Sequence, residues 1–289
     1  MIITKLIGGL GNQMFQYAVA RHLALKNNVE LKLDKTGFET YKLYAYGLHH
    51  LNIEEVFATQ KEVAAFRIYK KREGKMWVLY NRLIADPTRY VSERSFNFDP
   101  SILKLSAPVY LDGFWQSERY FKGIESIIRD EFTIKELLVG KNRKMTDAIS
   151  NSTAVSMHIR RADYVTNPTV NAWHGTCDSE YYARAVSTIV QTIADPHFFI
   201  FSDDMEWARQ NIILDHPVTY VDHNDARTNY EDLRLMSRCK HNIIANSSFS
   251  WWGGWLNNNP GKIVISPKNW FKTPKMDVRD LVPDTWVKL

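Results

Sequence analysis

Apolar and polar positions divide the chain into short, regular blocks. Ile2-Ile3-Thr4-Lys5-Leu6-Ile7 reads as a short buried strand, and Gly8-Gly9-Leu10-Gly11-Asn12 as a turn cluster. Gln13–Lys26, rich in Ala, Leu and Met, predicts a helix. The alternation over Glu30–Asp34 predicts a second strand. Strand, glycine loop, helix and strand make a βαβ unit. Lys35–Asn52 is irregular and aromatic. Gln60–Arg72, Glu125–Phe132 and Lys141–Ser150 read as helices, and Val109–Leu111 as a strand.

The second half is more regular. Strands are predicted at Ala154–Ile159, His197–Phe201, Val218–Val221, Asn242–Ala245 and Ile263–Ile265. Helices are predicted at Ser179–Ile193, Met205–Asn211, Tyr230–Arg238 and from Ser248 onward. His197–Phe201 is very apolar, as a strand covered on both faces must be. The whole is a doubly wound α/β pattern. A polar, charged stretch over Ile134–Ser150 marks a boundary, so residues 1–150 and 151–289 are expected to form two domains.

Composition narrows the class. The 289 residues are 45% hydrophobic and 24% charged, which excludes a disordered or fibrous chain. The net charge is +5, from 37 Lys+Arg and 32 Asp+Glu. That basic charge is spread out. Its densest run, Lys70-Lys71-Arg72, reads as a solvated helix end or a weak patch for anionic lipid. A nucleic-acid partner is therefore not expected. Cys177 and Cys239 are too few for a disulfide scaffold or a zinc site and read as two buried thiols. No stretch approaches the ~18 apolar residues of a spanning helix, and no signal peptide is evident. The expected location is the cytoplasm, with weak peripheral contact at the inner membrane as the one association the charge allows.

Doubly wound sheets bind ligands at the carboxyl ends of their strands. Three polar clusters fall there in the second half. His158, Arg160, Arg161 and Asp163 follow one strand, Ser202, Asp203 and Asp204 another, and Asn246, Ser247 and Ser248 a third. Guanidinium forks suit phosphate oxygens. A serine-rich helix start makes a second phosphate site. Asp203-Asp204 would repel phosphate, so the pair is expected to accept hydrogen bonds from a base or ribose. No His/Cys/carboxylate set has metal-ligand spacing, so no metal is called for. In the first half, Gly8-Gly9-Leu10-Gly11-Asn12-Gln13 departs from Gly-x-Gly-x-x-Gly, with Met14 in the last glycine's place. Gly9 and Gly11 allow close backbone approach to a donor. Asn12 and Gln13 can hydrogen-bond a sugar or phosphate.

These residues together resemble the bacterial α-1,2-fucosyltransferases of glycosyltransferase family 11, over nearly the whole chain. The likeness rests on Gly8–Tyr17, Leu111–Glu118 and His158-Ile159-Arg160-Arg161-Ala162-Asp163-Tyr164. It continues through His174–Cys177 with Tyr181-Tyr182, Phe201–Asp204 and Asn246–Trp252. The resemblance implies a GT-B fold of two Rossmann-like domains facing a central cleft. It implies GDP-L-fucose as donor, held by the C-terminal half, a galactose-terminated acceptor held by the N-terminal half, and inverting chemistry without a metal or other cofactor. By the motif match, Arg160 contacts the β-phosphate, and His158 and Asp163 shape that loop. Asp203 or Asp204 reads guanine or ribose, Ser247 and Ser248 serve the phosphates, and Asn12 lies near the fucose and the diphosphate as a catalytic candidate beside Arg160.

Asp112 is the candidate general base by its chemistry, with a turn-capping carboxylate as the alternative. The aromatic count, nine Trp, fourteen Tyr and fourteen Phe, divides. Trp251, Trp252 and Trp255 are expected in the core behind the serines. Trp115, beside Gln116, is expected to stack on an acceptor ring. Acceptor contacts are also expected from Lys35–Asn52 and Val165–Trp173. Two other readings stay open: a GDP-fucose-dependent transferase of different linkage, and a non-catalytic carbohydrate-binding protein.

Overall fold

The computed structural model describes residues 1–40, 43–67, 89–272 and 277–289. The chain divides into two compact α/β units. One comprises Met1–Thr133 with Asp277–Leu281, the other Ile134–Met276 with Val282–Leu289. The division falls at Thr133 rather than at residue 150, because the helix Gly140–Ser150 packs within the second unit, against the strand Thr153–Ile159 and the helix Asn229–Arg238. The segment Asp277–Leu281 returns to the first unit, where Asp280 accepts the Phe98 amide at 3.0 Å and the Arg119 guanidinium at 2.6 Å.

The first unit is built on a four-stranded parallel sheet. Its strands are β1 (Ile2–Lys5), β2 (Leu31–Asp34), β3 (Tyr90–Ser92) and β4 (Val109–Asp112), in the order β2-β1-β4-β3. The first helix runs Leu10–Asn27 and so starts earlier than the predicted Gln13. Gly8, at φ +78°, makes the whole turn, and extended Gly9 stands at the N-cap. Leu10 and Gly11 are thus helical, and Asn12 and Gln13 lie in the first turn. Tyr17 and Arg21 of this helix both bond Glu131, at 2.8 and 2.7 Å, which fastens it to the helix Glu125–Glu131.

The second unit holds a six-stranded parallel sheet. Its strands are β5 (Thr153–Ile159), β6 (Pro196–Ser202), β7 (Val218–Val221), β8 (His241–Ile243), β9 (Val264–Ser266) and β10 (Val287–Lys288). Their order is β10-β9-β8-β5-β6-β7. β5 and β6 are central and buried along nearly their whole length, which explains the apolar run in β6. The helix Ser179–Thr192 lays Tyr181, Ala185 and Ile189 onto the core formed by Val155, Met157, Phe198 and Ile200. The spacing of four puts those side chains on one face. Asp178 caps that helix by accepting the Tyr181 amide at 2.8 Å. Trp251, Trp252 and Trp255 are buried against one another, and Trp251 also packs on Trp286.

Several elements escape the hydrophobic pattern. β3 and β10 have three and two residues, too few for an alternation to register. Val165–Trp173, a stretch expected to supply acceptor contacts, runs through two short helices, Ala162–Thr166 and Pro168–His174. Helix Gln60–Arg67 is described only to Arg67, so the basic run Lys70-Lys71-Arg72 lies outside the described residues. Both cysteines are buried and free. No helix among the described residues is long and apolar enough to cross a membrane.

Candidate active site

Strand register assembles the charged cluster of the second unit. In the β5–β6 ladder Ile159 stands opposite Ser202, so Arg160 and Asp203, the next residues, meet. The Arg160 guanidinium lies 2.6 Å from the Asp203 carboxylate. The other Asp203 oxygen accepts the backbone N–H groups of Arg161 and Ala162, at 2.8 and 3.2 Å. Arg161 bonds Asp204 at 3.1 Å and lies 4.0 Å over the Trp207 ring. Asp204 in turn caps the helix Met205–Asn211 through the Trp207 amide, and its own amide bonds Ser202 Oγ at 3.0 Å. Both arginines are therefore fixed, each by a carboxylate and an aromatic face; for Arg160 that face is Tyr164, at 5.3 Å. The carboxylates expected to read a base or ribose hold the arginines and the loop.

β8 leads to the third cluster. Asn246 is only 2% exposed and its amide is fully used. Its nitrogen donates to the carbonyls of His174, Gly175 and Trp270, and its oxygen accepts from the Cys177 thiol. Asn246 thus ties loops together and corrects the expectation that it meets the donor. Ser247 stands in extended N-cap conformation, and Ser248 begins the helix Ser248–Leu256. Its first N–H groups and the helix dipole make an anion-attracting end beside β5. His158 is buried, and burial, aided by nearby Arg160, pulls its pKa down to about 3. Its ring is neutral at any physiological pH, and its carbonyl accepts from Tyr182 at 3.1 Å. Asp163 lies in the helix Ala162–Thr166.

The first unit gathers a second polar group at its strand ends. Gln116 donates its amide to Asn12 Oδ1 at 2.8 Å, linking the loop after β4 to the first helical turn. Gly8 packs so closely on the Asn12 amide that a Cβ has no room there. Gln13 is fully buried. It donates to the carbonyls of Gly8 and Ala45 and accepts the Gly47 amide, each at 2.9 Å. Trp115 is 1% exposed, its ring edge-to-face with Tyr120 at 5.8 Å. Neither Gln13 nor Trp115 can touch an acceptor, and both expectations are corrected: these side chains shape the loops beneath Asn12 and Gln116. Asp112 has one oxygen on Lys5 at 2.9 Å and the other on the Tyr90 hydroxyl at 2.5 Å. It clamps the ends of β1, β3 and β4.

Residues 1–289 match the sequence profile of Glycosyl transferase family 11. The chain belongs to that family. It is 36% identical to an alpha-1,2-colitosyltransferase of Escherichia coli, covering 100% of this chain and 99% of the relative. It is 31% identical to the O-antigen biosynthesis glycosyltransferase WbnK of Escherichia coli, covering 98% and 99%. Among solved structures it is similar to NodZ alpha-1,6-fucosyltransferase soaked with GDP-fucose. That match has a TM-score of 0.50 at 15% identity and covers 90% of this chain and 96% of the other. The fold is of the GT-B type, and this family 11 chain is a glycosyltransferase.

Some polar residues of this glycosyltransferase carry no sequence signal. Asn142, His223, Asn224 and Asp232 form a cluster that joins the helix Gly140–Ser150, the loop after β7 and the helix Asn229–Arg238. His223 and Asn224 bond Asn142 at 2.7 and 3.0 Å, and Asn224 donates to Asp232 at 2.7 Å. Burial pushes the Asp232 carboxyl up to about 7, with the charge of Glu231 adding to the shift. The members lie far apart in sequence and match no motif, so only the fold brings them together. A carboxyl whose folded-state pKa is raised contributes stability below its unfolded pKa, near 4, and loses it as pH rises through about 7. Asp232→Asn removes that loss and keeps an oxygen for Asn224. Its thermal midpoint is expected to exceed the parent's by several degrees at pH 8 and to converge with it only below about pH 4, as followed by calorimetry.

Proposed function

We propose that this family 11 glycosyltransferase moves L-fucose from GDP-L-fucose to the 2-hydroxyl of a terminal galactose, with inversion, in polysaccharide synthesis of the O-antigen kind. The observation that carries the reading is the fixed guanidinium of Arg160 at the end of β5, held by Asp203, with a helix N-terminus following the neighbouring strand β8. That combination suits a diphosphate. The α-1,2 linkage and the O-antigen setting are supported by the printed activities of the two relatives, and a GDP-linked donor by the NodZ ligand.

In such a transfer the acceptor hydroxyl attacks the anomeric carbon as GDP leaves from the opposite face. Negative charge grows on the β-phosphate oxygen. Arg160 is already oriented by Asp203 and Tyr164, so it stabilises that charge without reorganising, and does so more in the transition state than in the ground state. Ser247, Ser248 and the helix start beside them add N–H donors for the same diphosphate. Asn12 and Gln116 supply the amide pair for sugar hydroxyls. Asp112, held at both oxygens, serves this reading as a clamp.

Colitose is fucose without its 3-hydroxyl, so a 3-deoxy donor is the specific competitor. A site built to bond that hydroxyl leaves a buried polar group unpaired when the deoxy sugar binds. GDP release with GDP-L-fucose against GDP-colitose, on a panel of galactosides with linkage analysis of products, tests the assignment. The fucosyl donor is expected to lead by about 10² in kcat/KM, the cost of leaving one buried polar group unpaired. Preference for the deoxy donor overturns the fucose assignment and leaves α-1,2 transfer standing. Arg160→Ala is expected to slow transfer by ~10²–10³ while acceptor binding persists, since one charged donor to the developing charge is lost. Near-parental turnover in that variant removes Arg160 from the chemistry. The oriented guanidinium donors and the helix start are read as holding a diphosphate without a cation, so EDTA is expected to leave the rate unchanged. Loss of activity restored by Mn²⁺ contradicts this part of the proposal.

A further inference from the structure

A single acidic side chain, unmarked by any motif, governs the loop that carries Gln116. Glu93 directly follows β3, and its amide bonds the Asp112 carbonyl at 2.9 Å. Its carboxylate turns inward and accepts two successive backbone N–H groups. Phe114 donates to one oxygen at 2.7 Å and Trp115 to the other at 2.9 Å. The carboxylate is largely buried, and burial raises its pKa against the opposing pull of those two bonds. The loop it holds is not one the chain adopts freely. Trp115 sits at φ +56°, a region unfavourable for a residue with a Cβ. Gly113 leaves no space for a Cβ against Glu93 and the Trp115 ring. On the far side Ser117 is buried and its amide bonds the Trp115 carbonyl at 2.8 Å. Between these anchors Gln116 reaches Asn12.

We propose that Glu93 is a positioning residue for acceptor use: by holding the amides of Phe114 and Trp115 it sets the Asn12–Gln116 pair at which the acceptor sugar is engaged. The inference rests on the reading above that this pair meets the sugar. A carboxylate is required because two N–H donors need two acceptor oxygens. An amide offers one oxygen and turns an N–H group against the second donor. That opposition releases the loop toward a relaxed Trp115 backbone and moves Gln116 off Asn12. The residue displaced is Gln116; Asn12 stays in the first turn of its helix and the second unit's arginines are not involved, so donor handling is expected to be untouched.

The test is steady-state kinetics of Glu93→Gln, Glu93→Asp and Gln116→Ala with both substrates varied, together with donor hydrolysis in the absence of acceptor. Glu93→Gln is expected to lower kcat/KM for the acceptor at least tenfold. Its donor KM and its rate of donor hydrolysis should stay within twofold of the parent. Glu93→Asp keeps two oxygens on a shorter arm, and is expected to show a smaller loss of the same acceptor-selective kind. It decides the question alone if the glutamine variant does not fold. Equal losses in acceptor use and donor hydrolysis, or no acceptor effect in Glu93→Gln beside a clear one in Gln116→Ala, overturn the positioning role. An unchanged acceptor KM in Gln116→Ala overturns the underlying reading of the amide pair instead, and the proposal with it.

Discussion

The pairing of Arg160 with Asp203 depends on the alignment of two neighbouring strands. Ile159 faces Ser202 across β5 and β6, and the chain leaves both strands on the next residue. In a parallel ladder a slip by one residue turns every side chain to the other face. Such a slip breaks the ion pair and takes Phe198 and Ile200 together out of the core they fill, onto the face that buries Phe199 and Phe201. Burial of those side chains in the core fixes the register, and the register fixes the guanidinium. Arg161 and the helix Ala162–Thr166 follow from it, because Asp203 also accepts the first two amides beyond Arg160. Tyr164 then lies under Arg160 and stacks on His174 at 4.7 Å, while the Asn246 amide holds the His174 carbonyl. Hydrophobic packing thus positions a polar loop through a short succession of contacts between segments distant in sequence.

The first unit solves the same problem with carboxylates at its own strand ends. Asp34, at the end of β2, accepts the amide and hydroxyl of Thr36 and the hydroxyl of Tyr110. Asp112 joins Lys5 to Tyr90, and Glu93 holds the loop beyond β4. Tyr90 and Tyr110, which serve these acids, stack on each other at 5.0 Å. In both units, acidic residues that sequence chemistry offers as bases or ligand readers turn inward as holders. Buried backbone N–H groups in irregular loops need acceptors, and a carboxylate supplies two oxygens with strong, charge-assisted bonds.

Legibility in the sequence followed the range of the cause. The doubly wound pattern and the strand-end clusters were readable because hydrophobic runs and the residues just past them are local facts. The GT-B type fold followed from the motif resemblance. The roles of Gln13, Trp115 and Asn246 were misread because each sits in a polar or ring-bearing motif whose burial only the tertiary structure decides. Gln13 vanishes under the segment at Ala45–Gly47, and Asn246 under the loops at His174 and Trp270. Glu93 was invisible for the opposite reason. β3 is too short to announce itself, and the amides Glu93 holds lie more than twenty residues away. Asp232 depends on three separate segments, so no window of sequence contains its environment.

Charge balance sets a condition on how the second unit attracts an anion. Arg160, Arg161, Asp203 and Asp204 carry two positive and two negative charges, so the four side chains together are formally neutral. Net charge at this cluster therefore does not draw in a diphosphate; orientation does. Each arginine spends part of its fork on a carboxylate and keeps donors directed elsewhere, because a guanidinium has five N–H groups. The helix Ser248–Leu256, which follows β8, lacks an acidic residue in its first turn and has no side-chain cap at Ser247. An acid at that cap would stabilise the helix by about 1 kcal/mol and occupy the same N–H groups that an anion needs. A serine there puts no acid on that helix end, and the holding carboxylates lie at the end of β6. The neutral cluster can thus fold without internal repulsion and still present fixed donors to a diphosphate, which is the arrangement that electrostatic preorganisation requires.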